Sequence, residues 1–448
     1  MMQYDSVKNI NRRKFVKAGA AAGAGLFLAP GFIQHVKASD SNDLNIALLG
    51  AGEQGNVLLN ACLKLPGIRF KAVCDIWEKY NLKRAYSLLK KYGHDVRPYI
   101  DYQDMLASEN ELDAVLIATP DFWHAPHSEA CLKRGLHVYC EKEMSNTLEG
   151  ARQIVRAANA SGKLVQIGHQ RRSNPRYLHC CEKLIKEAQL LGKITTVNGQ
   201  WNRSVQPDLG WPEKYSIPPA ILRKYGFSSM QQYRNWRWYK GLGGGPVVDL
   251  GSHQLDIYNW FLEARPISVM ASGGTDYYEK KTHQWYDTVL ATFEYDTKYG
   301  KVRAFYQTIT TNSNLGYYEN FLGDQGTLQI SESAGRAAIY REQTAPLWDR
   351  WIELGLLTAP KEQAAKQAAD VILDVRETVA PPKHELPVVF NDPYHLPHLR
   401  NFFNAIRGTE ELTCPVEIGY ETAVTVLKVN EAVRTGKKLY FRSEEFNA

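Results

Sequence analysis

One stretch limits what this chain can fold into more than any other. Asn45-Ile46-Ala47-Leu48-Leu49 is a short apolar run that meets Gly50-Ala51-Gly52-Glu53-Gln54-Gly55, and a helical pattern follows through Val57, Leu58, Ala61 and Leu65. Strand, glycine turn and helix stand in the order that a dinucleotide site requires. Gly50 permits the tight turn, Gly52 lets the backbone approach a pyrophosphate, and Gly55 allows close helix packing. Glu53 and Gln54 open the helix whose N-terminus faces the negative charge. A second apolar strand, Phe70–Cys74, ends at Asp75, twenty residues past Gly55. A carboxylate there accepts hydrogen bonds from ribose hydroxyls and repels a 2′-phosphate, so NAD is expected rather than NADP.

The alternation continues. Leu112–Ala118 is a buried strand ending in Thr119-Pro120, Leu136–Cys140 another ending at Glu141-Lys142, and Leu164–Ile167 a third ending in Gly168-His169-Gln170. Strands separated by helices of this length predict a parallel, doubly wound sheet, with ligands gathered at the strands' carboxyl ends. After about residue 170 the texture becomes aromatic-rich and alternating: Ile194–Trp201, Ile267–Gly274, Thr288–Tyr295, Val302–Thr310 and Thr327–Ile330. These segments predict an antiparallel sheet in a second domain. Residues 355–385 read as a surface helix and a Pro-containing connector. The tail carries two core-packing helices, one with Leu399, Phe402, Phe403 and Ile406, the other from Tyr420 to Val433.

Charge narrows the partners. Residues 1–38 hold Lys8, Arg12, Arg13, Lys14, Lys17 and Lys37 against Asp5, which is +5 of the chain's formal +6. The remainder is nearly neutral, so no electrostatic case exists for nucleic acid or an acidic membrane. A small or uncharged ligand is expected. The seven cysteines (Cys62, Cys74, Cys131, Cys140, Cys180, Cys181, Cys414) show no Cys-x-x-Cys pair and no zinc spacing. They read as buried thiols, and no metal is expected.

Asn11-Arg12-Arg13-Lys14-Phe15-Val16-Lys17, the small apolar stretch from Ala18 to Phe32 and Val36-Lys37-Ala38 together resemble a twin-arginine export signal with its cleavage pattern. The resemblance implies a periplasmic protein, beginning near Ser39 and free of the membrane, that crosses already folded. A tightly held cofactor and reduced, buried cysteines follow from folding before export.

Gly50-x-Gly-x-x-Gly55, Asp75, Thr119-Pro120 with His124, Glu141-Lys142, and Gly243-Gly244-Gly245 leading to Asp249-x-Gly251-x-His253-x-x-Asp256 resemble the Gfo/Idh/MocA oxidoreductase family across roughly residues 44–440. The resemblance implies an α/β chain: an N-terminal Rossmann domain with a doubly wound parallel sheet (residues 39–168), then an α+β domain with an open, mainly antiparallel sheet (169–448). That sheet often mediates homo-oligomer formation in the family. Members commonly oxidise or reduce a sugar or cyclitol hydroxyl with a nicotinamide cofactor. Lys142 matches the family's Glu-Lys-Pro lysine, Asp249 and His253 match its catalytic Asp and His, and Gln170 lies beside a cofactor-approaching segment. Glu143 replaces the usual Pro, adding a carboxylate that could raise the pKa of Lys142.

The residues support these roles independently. Oxidising a secondary alcohol needs a base near neutral pH. Asp249 and His253, four apart on a helix, share a face. His253 is the expected general base, Asp249 an orienting group, and Lys142 the cation that favours developing alkoxide; a Lys with a lowered pKa could exchange roles with His253. Glu53, Gln54, Thr119, Pro120, His124, Glu141 and Gln170 are expected around the cofactor. Tyr233, Trp236 and Arg237, with Arg171, Arg172, Trp201 and Arg203, are expected near a sugar. Three functions compete. The first is an exported NAD-dependent oxidoreductase of a sugar, glycoside or cyclitol. The second is a glycosidase or lyase working by transient oxidation at carbon 3, as in the NAD-dependent α-N-acetylgalactosaminidases of the superfamily. The third is a non-catalytic sugar sensor.

Overall fold

The first apolar run sorts its residues by parity, and the computed structural model, which describes residues 43–360 and 381–448, shows why. In strand β1 (Leu44–Leu49), Ile46 and Leu48 enter one hydrophobic core while Ala47 and Leu49 enter another. Alternate side chains point to opposite faces of a strand, and here both faces are buried. β1 belongs to a six-stranded parallel sheet with β2 (Ile68–Cys74), β3 (Arg97–Tyr99), β4 (Ala114–Ile117), β5 (His137–Cys140) and β6 (Val165–Ile167), in the order β3-β2-β1-β4-β5-β6. The order reverses between β1 and β4, where a doubly wound sheet opens its ligand crevice. The N-terminal signal reading lies outside the described residues.

Helices cover both faces. Helix α1 (Glu53–Cys62) follows the glycine turn. α2 (Asp121–Lys133) and α3 (Leu148–Ser161) supply Leu132, Ile154 and Val155 to the core shared with Ala47 and Val115. The opposite core, with Ile46, Phe70 and Leu116, is completed from far along the chain. Leu399, Phe402 and Phe403 reach it from the helix Leu396–Ile406, as the apolar spacing of the tail predicts.

The second sheet has nine strands. They are β7 (Ile194–Asn202), β8 (Pro266–Gly274), β9 (Thr288–Thr297), β10 (Gly300–Ile309), β11 (Tyr317–Gly323), β12 (Gly326–Ile330), β13 (Ala338–Arg341), β14 (Lys383–Glu385) and β15 (Leu439–Tyr440). Their order is β14-β13-β12-β11-β7-β10-β9-β8-β15, all antiparallel except the central β7–β10 pair. The fold class expected from sequence is the one observed. Four of these strands, β11 and the shorter β13, β14 and β15, were not anticipated. β14 also corrects the reading of 355–385, since its last three residues pair with β13 rather than joining a connector; residues 361–380 lie outside the described residues.

Helix α4 (Pro246–Leu262) packs on this sheet through Val247, Val248, Leu255 and Phe261. Within the family of tail helices, α5 is Leu396–Ile406 and α6 is Val416–Thr435. α6 gives Tyr420, Ala423 and Val424 to the parallel sheet's core and Val426, Val429 and Ala432 to the large sheet's core. The two halves are thereby joined by one helix with two apolar patches. All seven cysteines are buried and free. Among the described residues no helix is long and apolar enough to cross a membrane.

Candidate active site

The carboxyl ends of β1, β2, β4 and β5 open into a cavity of about 600 Å³, lined also by α4, β7 and the segment before α5. At its first edge the chain turns at Gly50, whose φ of +92° favours glycine. A Cβ on Gly55 would collide with the Gly50 carbonyl, so this glycine sets how closely α1 approaches the turn. A Cβ on Gly52 would meet only Asn81 Nδ2, at 3.8 Å. Space for a phosphate is therefore left at the helix N-terminus, where N–H groups point outward.

Asp75 closes this end. Its Oδ2 accepts from Ala51 N at 2.8 Å and its Oδ1 from Trp77 N at 2.7 Å, with Asn81 Nδ2 at 3.3 Å. Burial pushes its carboxyl above the ordinary range, opposed by those donors. Glu53, Gln54, Thr119, Pro120, Glu141 and Gln170 line the same cavity. Gln54 Nε2 lies 3.0 Å from Glu141 Oε1 and 2.9 Å from His395 Nε2. The glycine turn, Asp75 and this rim fit a nicotinamide dinucleotide.

Deeper in, Lys142 donates from Nζ to the Asp249 carbonyl at 2.6 Å and to Asp249 Oδ1 at 2.9 Å. The other carboxylate oxygen of Asp249 faces Arg237 Nε at 3.5 Å. Burial pushes the Asp249 carboxyl up, but Lys142, Arg237 and Arg203 outweigh it and hold the group well below the usual carboxylate range. One turn on, His253 shares the cavity. Burial, then Lys142 and Arg171, hold its imidazole well below the usual value, so it is neutral at pH 7. Its Nδ1 has no hydrogen-bond partner among the described residues. Its ring lies 5.4 Å from that of Trp201. A fixed ammonium, a carboxylate and a neutral imidazole thus converge on one space, the set that proton abstraction from an alcohol requires.

Several sequence assignments are corrected here. His124 is buried behind the wall, with Nε2 2.8 Å from the Thr119 carbonyl and Nδ1 2.8 Å from the Glu143 carbonyl. It ties two strand-end turns together and does not line the cavity. Arg171 is buried between Glu332 and Glu319, with Nε donating to Glu332 Oε2 at 3.0 Å. Arg172 is committed to Asp256 at 2.8 Å. Neither is available to a substrate. Tyr233 does line the cavity, but beside Asp75: its hydroxyl accepts from Asn81 Nδ2 at 3.4 Å. That is the cofactor's end. Glu143 accepts from Met144 N through Oε1 at 2.8 Å. Burial pushes it to about 8, so it is a neutral acid at pH 7 rather than the carboxylate the sequence suggested. Its peptide bond to Lys142 is cis.

Trp201, Arg203, Trp236 and Arg237 line the cavity as expected, and Asp121, Tyr317, Glu332, Tyr394 and His395 join them unannounced. Burial pushes Asp121 up to about 7. Tyr394-His395 carried one usable signal, a polar aromatic pair directly ahead of an apolar helix that covers the nucleotide domain.

A doubly wound sheet with this turn and strand-end acid, facing a second domain that contributes a Lys–Asp–His cluster, defines an NAD(P)-dependent oxidoreductase. Residues 44–169 match the model described as oxidoreductase family, NAD-binding Rossmann fold, and residues 183–441 match that family's C-terminal alpha/beta domain. The chain belongs to the Gfo/Idh/MocA oxidoreductase family. It is 27% identical over 304 residues to an inositol 2-dehydrogenase of Rubrobacter xylanophilus, covering 66% of this chain and 74% of that protein. It is 28% identical over 176 residues to a glycosyl hydrolase family 109 protein of Shewanella baltica, covering 35% of this chain and 38% of that one. The WlbA dehydrogenase of Bordetella pertussis, solved with NADH and UDP-GlcNAcA, superposes with a TM-score of 0.66 at 18% identity, covering 91% of this chain and 99% of that chain.

Proposed function

We propose that the protein is an exported oxidoreductase that uses a tightly held NAD to oxidise a hydroxyl of a sugar, glycoside or cyclitol. The observation that carries this reading is the Lys142 ammonium, fixed 2.9 Å from Asp249 Oδ1 in the cavity that holds His253 one helical turn away. An ammonium has three N–H donors. Two go to Asp249 and one remains for a substrate oxygen, which it holds and whose developing negative charge it favours. His253, neutral before the substrate arrives, takes the hydroxyl proton at a ring nitrogen. Asp249 orients Lys142, while Arg237 steadies the other carboxylate oxygen. The turn at Gly50–Gly55 would hold the pyrophosphate and Asp75 the ribose, favouring NAD over NADP. When bound, the nicotinamide supplies the hydride acceptor.

A sugar or cyclitol is supported by the dehydrogenase relative and by the aromatic walls at Trp201, Tyr317 and Trp236. Export to the periplasm is supported by the twin-arginine pattern of residues 11–38 and agrees with seven buried, unpaired thiols. A homo-oligomer formed through the large sheet belongs to the same reading, supported by the exposure of Met270 and Leu290 on β8 and β9. A second reading, transient oxidation that ends in net hydrolysis of a glycoside, is favoured by the family 109 relative.

The test is mass analysis of products after the purified protein, without added NAD, meets a panel of glycosides, free sugars and cyclitols. An intact substrate lighter by one hydrogen molecule is the expected result. A released aglycone with no accumulated ketone would select the second reading. No product, from a preparation shown to carry nucleotide, would overturn both. His253→Ala should lower turnover by about 100-fold or more while the nucleotide stays bound.

A further inference from the structure

The reaction cavity does not end at Trp201. The rings of Trp201 and Tyr317, stacked 4.5 Å apart, also line a second cavity of about 440 Å³, and Arg203, Ser204, Gln206 and Tyr394 are common to both. With the Trp201 ring 5.4 Å from that of His253, this second space begins one aromatic ring away from the reacting centre. A neighbouring unit of a glycoside would lie at that distance.

Its charge is one-sided. Two guanidinium groups, Arg203 and Arg336, line it together with Asn202, Ser313 and Ser333, and among the described residues no Asp or Glu does. Arg203 lies over the Trp201 ring at 5.2 Å, and its side chain makes no hydrogen bond or ion pair among the described residues. Arg336 is placed by the turn ahead of β11. Its Nη1 donates to the Leu315 carbonyl, and a Cβ on Gly316 would overlap that nitrogen. The turn itself is stitched to β7, where Asn202 Nδ2 donates to the Asn314 carbonyl at 3.0 Å and Gln200 Nε2 to the same oxygen at 3.2 Å. These arginines therefore stand on an anchored wall.

Guanidinium forks match planar oxyanions, and aromatic faces take the apolar face of a sugar. A free monosaccharide or cyclitol would occupy the first cavity alone and leave the second, which holds Arg203 and Arg336 and no carboxylate among its described lining residues, unfilled. We infer that the second cavity is a subsite for the adjoining unit of a glycoside, and that this unit carries an oxyanion, a carboxylate or a sulfate ester, met by Arg203 and Arg336. The inference deepens the sugar oxidoreductase reading and rests on it.

Calorimetric binding to the nucleotide-loaded protein tests it with disaccharides of the gluco, galacto and manno series, each in neutral, uronate and sulfated form. In at least one series a charged form should bind about tenfold or more tighter than its neutral counterpart, and whether the uronate or the sulfate does so identifies the anion. Arg336→Ala should bring the charged-to-neutral ratio close to one, and Arg336→Lys should restore part of it. Equal affinity for charged and neutral forms in every series would overturn the inference. So would an Arg336→Ala variant that weakens both forms by the same factor. Preserved preference for the charged disaccharide, with no oxidation of any sugar in the product panel, would overturn the oxidoreductase reading and leave the anionic subsite standing.

Discussion

Asp75 and His124 show how differently two residues of one motif set can be used. Asp75 stands directly after β2 and His124 in the first turn of α2, and both are buried, yet Asp75 lines the cavity while His124 is stitched to two carbonyls behind it. Sequence position places a residue at a strand end. Which way its side chain turns depends on partners such as Glu143, 19 residues away. Arg171 fails as a substrate ligand for the same reason, since Glu319 and Glu332, which neutralise it, lie 148 and 161 residues on. Asp75, by contrast, was legible because its place at the cavity's edge depends on local spacing from the glycine turn. Replacing it by Ser removes the carboxylate that repels a 2′-phosphate. Titration with both nucleotides should then show the affinity for NADP rising relative to that for NAD by about tenfold or more.

At the scale of elements, strands flanked by apolar runs were readable, and the shortest strands were not. β13, β14 and β15 span four, three and two residues, too few for alternation to declare itself. The parallel β7–β10 pairing was equally hidden, because pairing direction is decided by a connection of about a hundred residues rather than by either strand. Helix α5 was legible from the spacing of Leu399, Phe402 and Phe403, but its destination was not. It covers the nucleotide-binding sheet, where Phe402 is fully buried and faces Tyr139 at 5.9 Å. Phe402→Ala leaves a cavity in that core and should cost about 3–5 kcal/mol. Denaturant titration would measure it, and nucleotide affinity should fall with it although Phe402 touches no part of the cavity.

The whole molecule carries an unusual load of buried titratable groups. Burial draws His124 and His169 down to about 4 and His127 and His398 to about 3. Each takes up a proton more readily unfolded than folded, so its contribution is complete above about pH 6.5 and is lost as the pH falls toward these values. Burial pushes Asp121 up to about 7 and Glu143 to about 8. Their folded forms hold protons that the unfolded chain gives up above about pH 4.5, so their contribution is lost as the pH rises through 7 and 8. Thermal melts across pH should therefore show a maximum near about pH 6.5, with stability declining on both sides. A flat profile from pH 5 to 9 would contradict the burial of these groups.

The path of the chain also imposes a schedule. His398, on α5, bonds to the Ile167 carbonyl at the end of β6, 231 residues earlier, and α6 then fills gaps in both cores. During synthesis the parallel sheet and its own helices emerge long before α5 and α6 complete their cover, and the apolar surface those two helices bury must be sheltered meanwhile. His395, which lines the cavity just ahead of α5, becomes available at the same stage, so the cover of the sheet and the rim of the cavity are completed together.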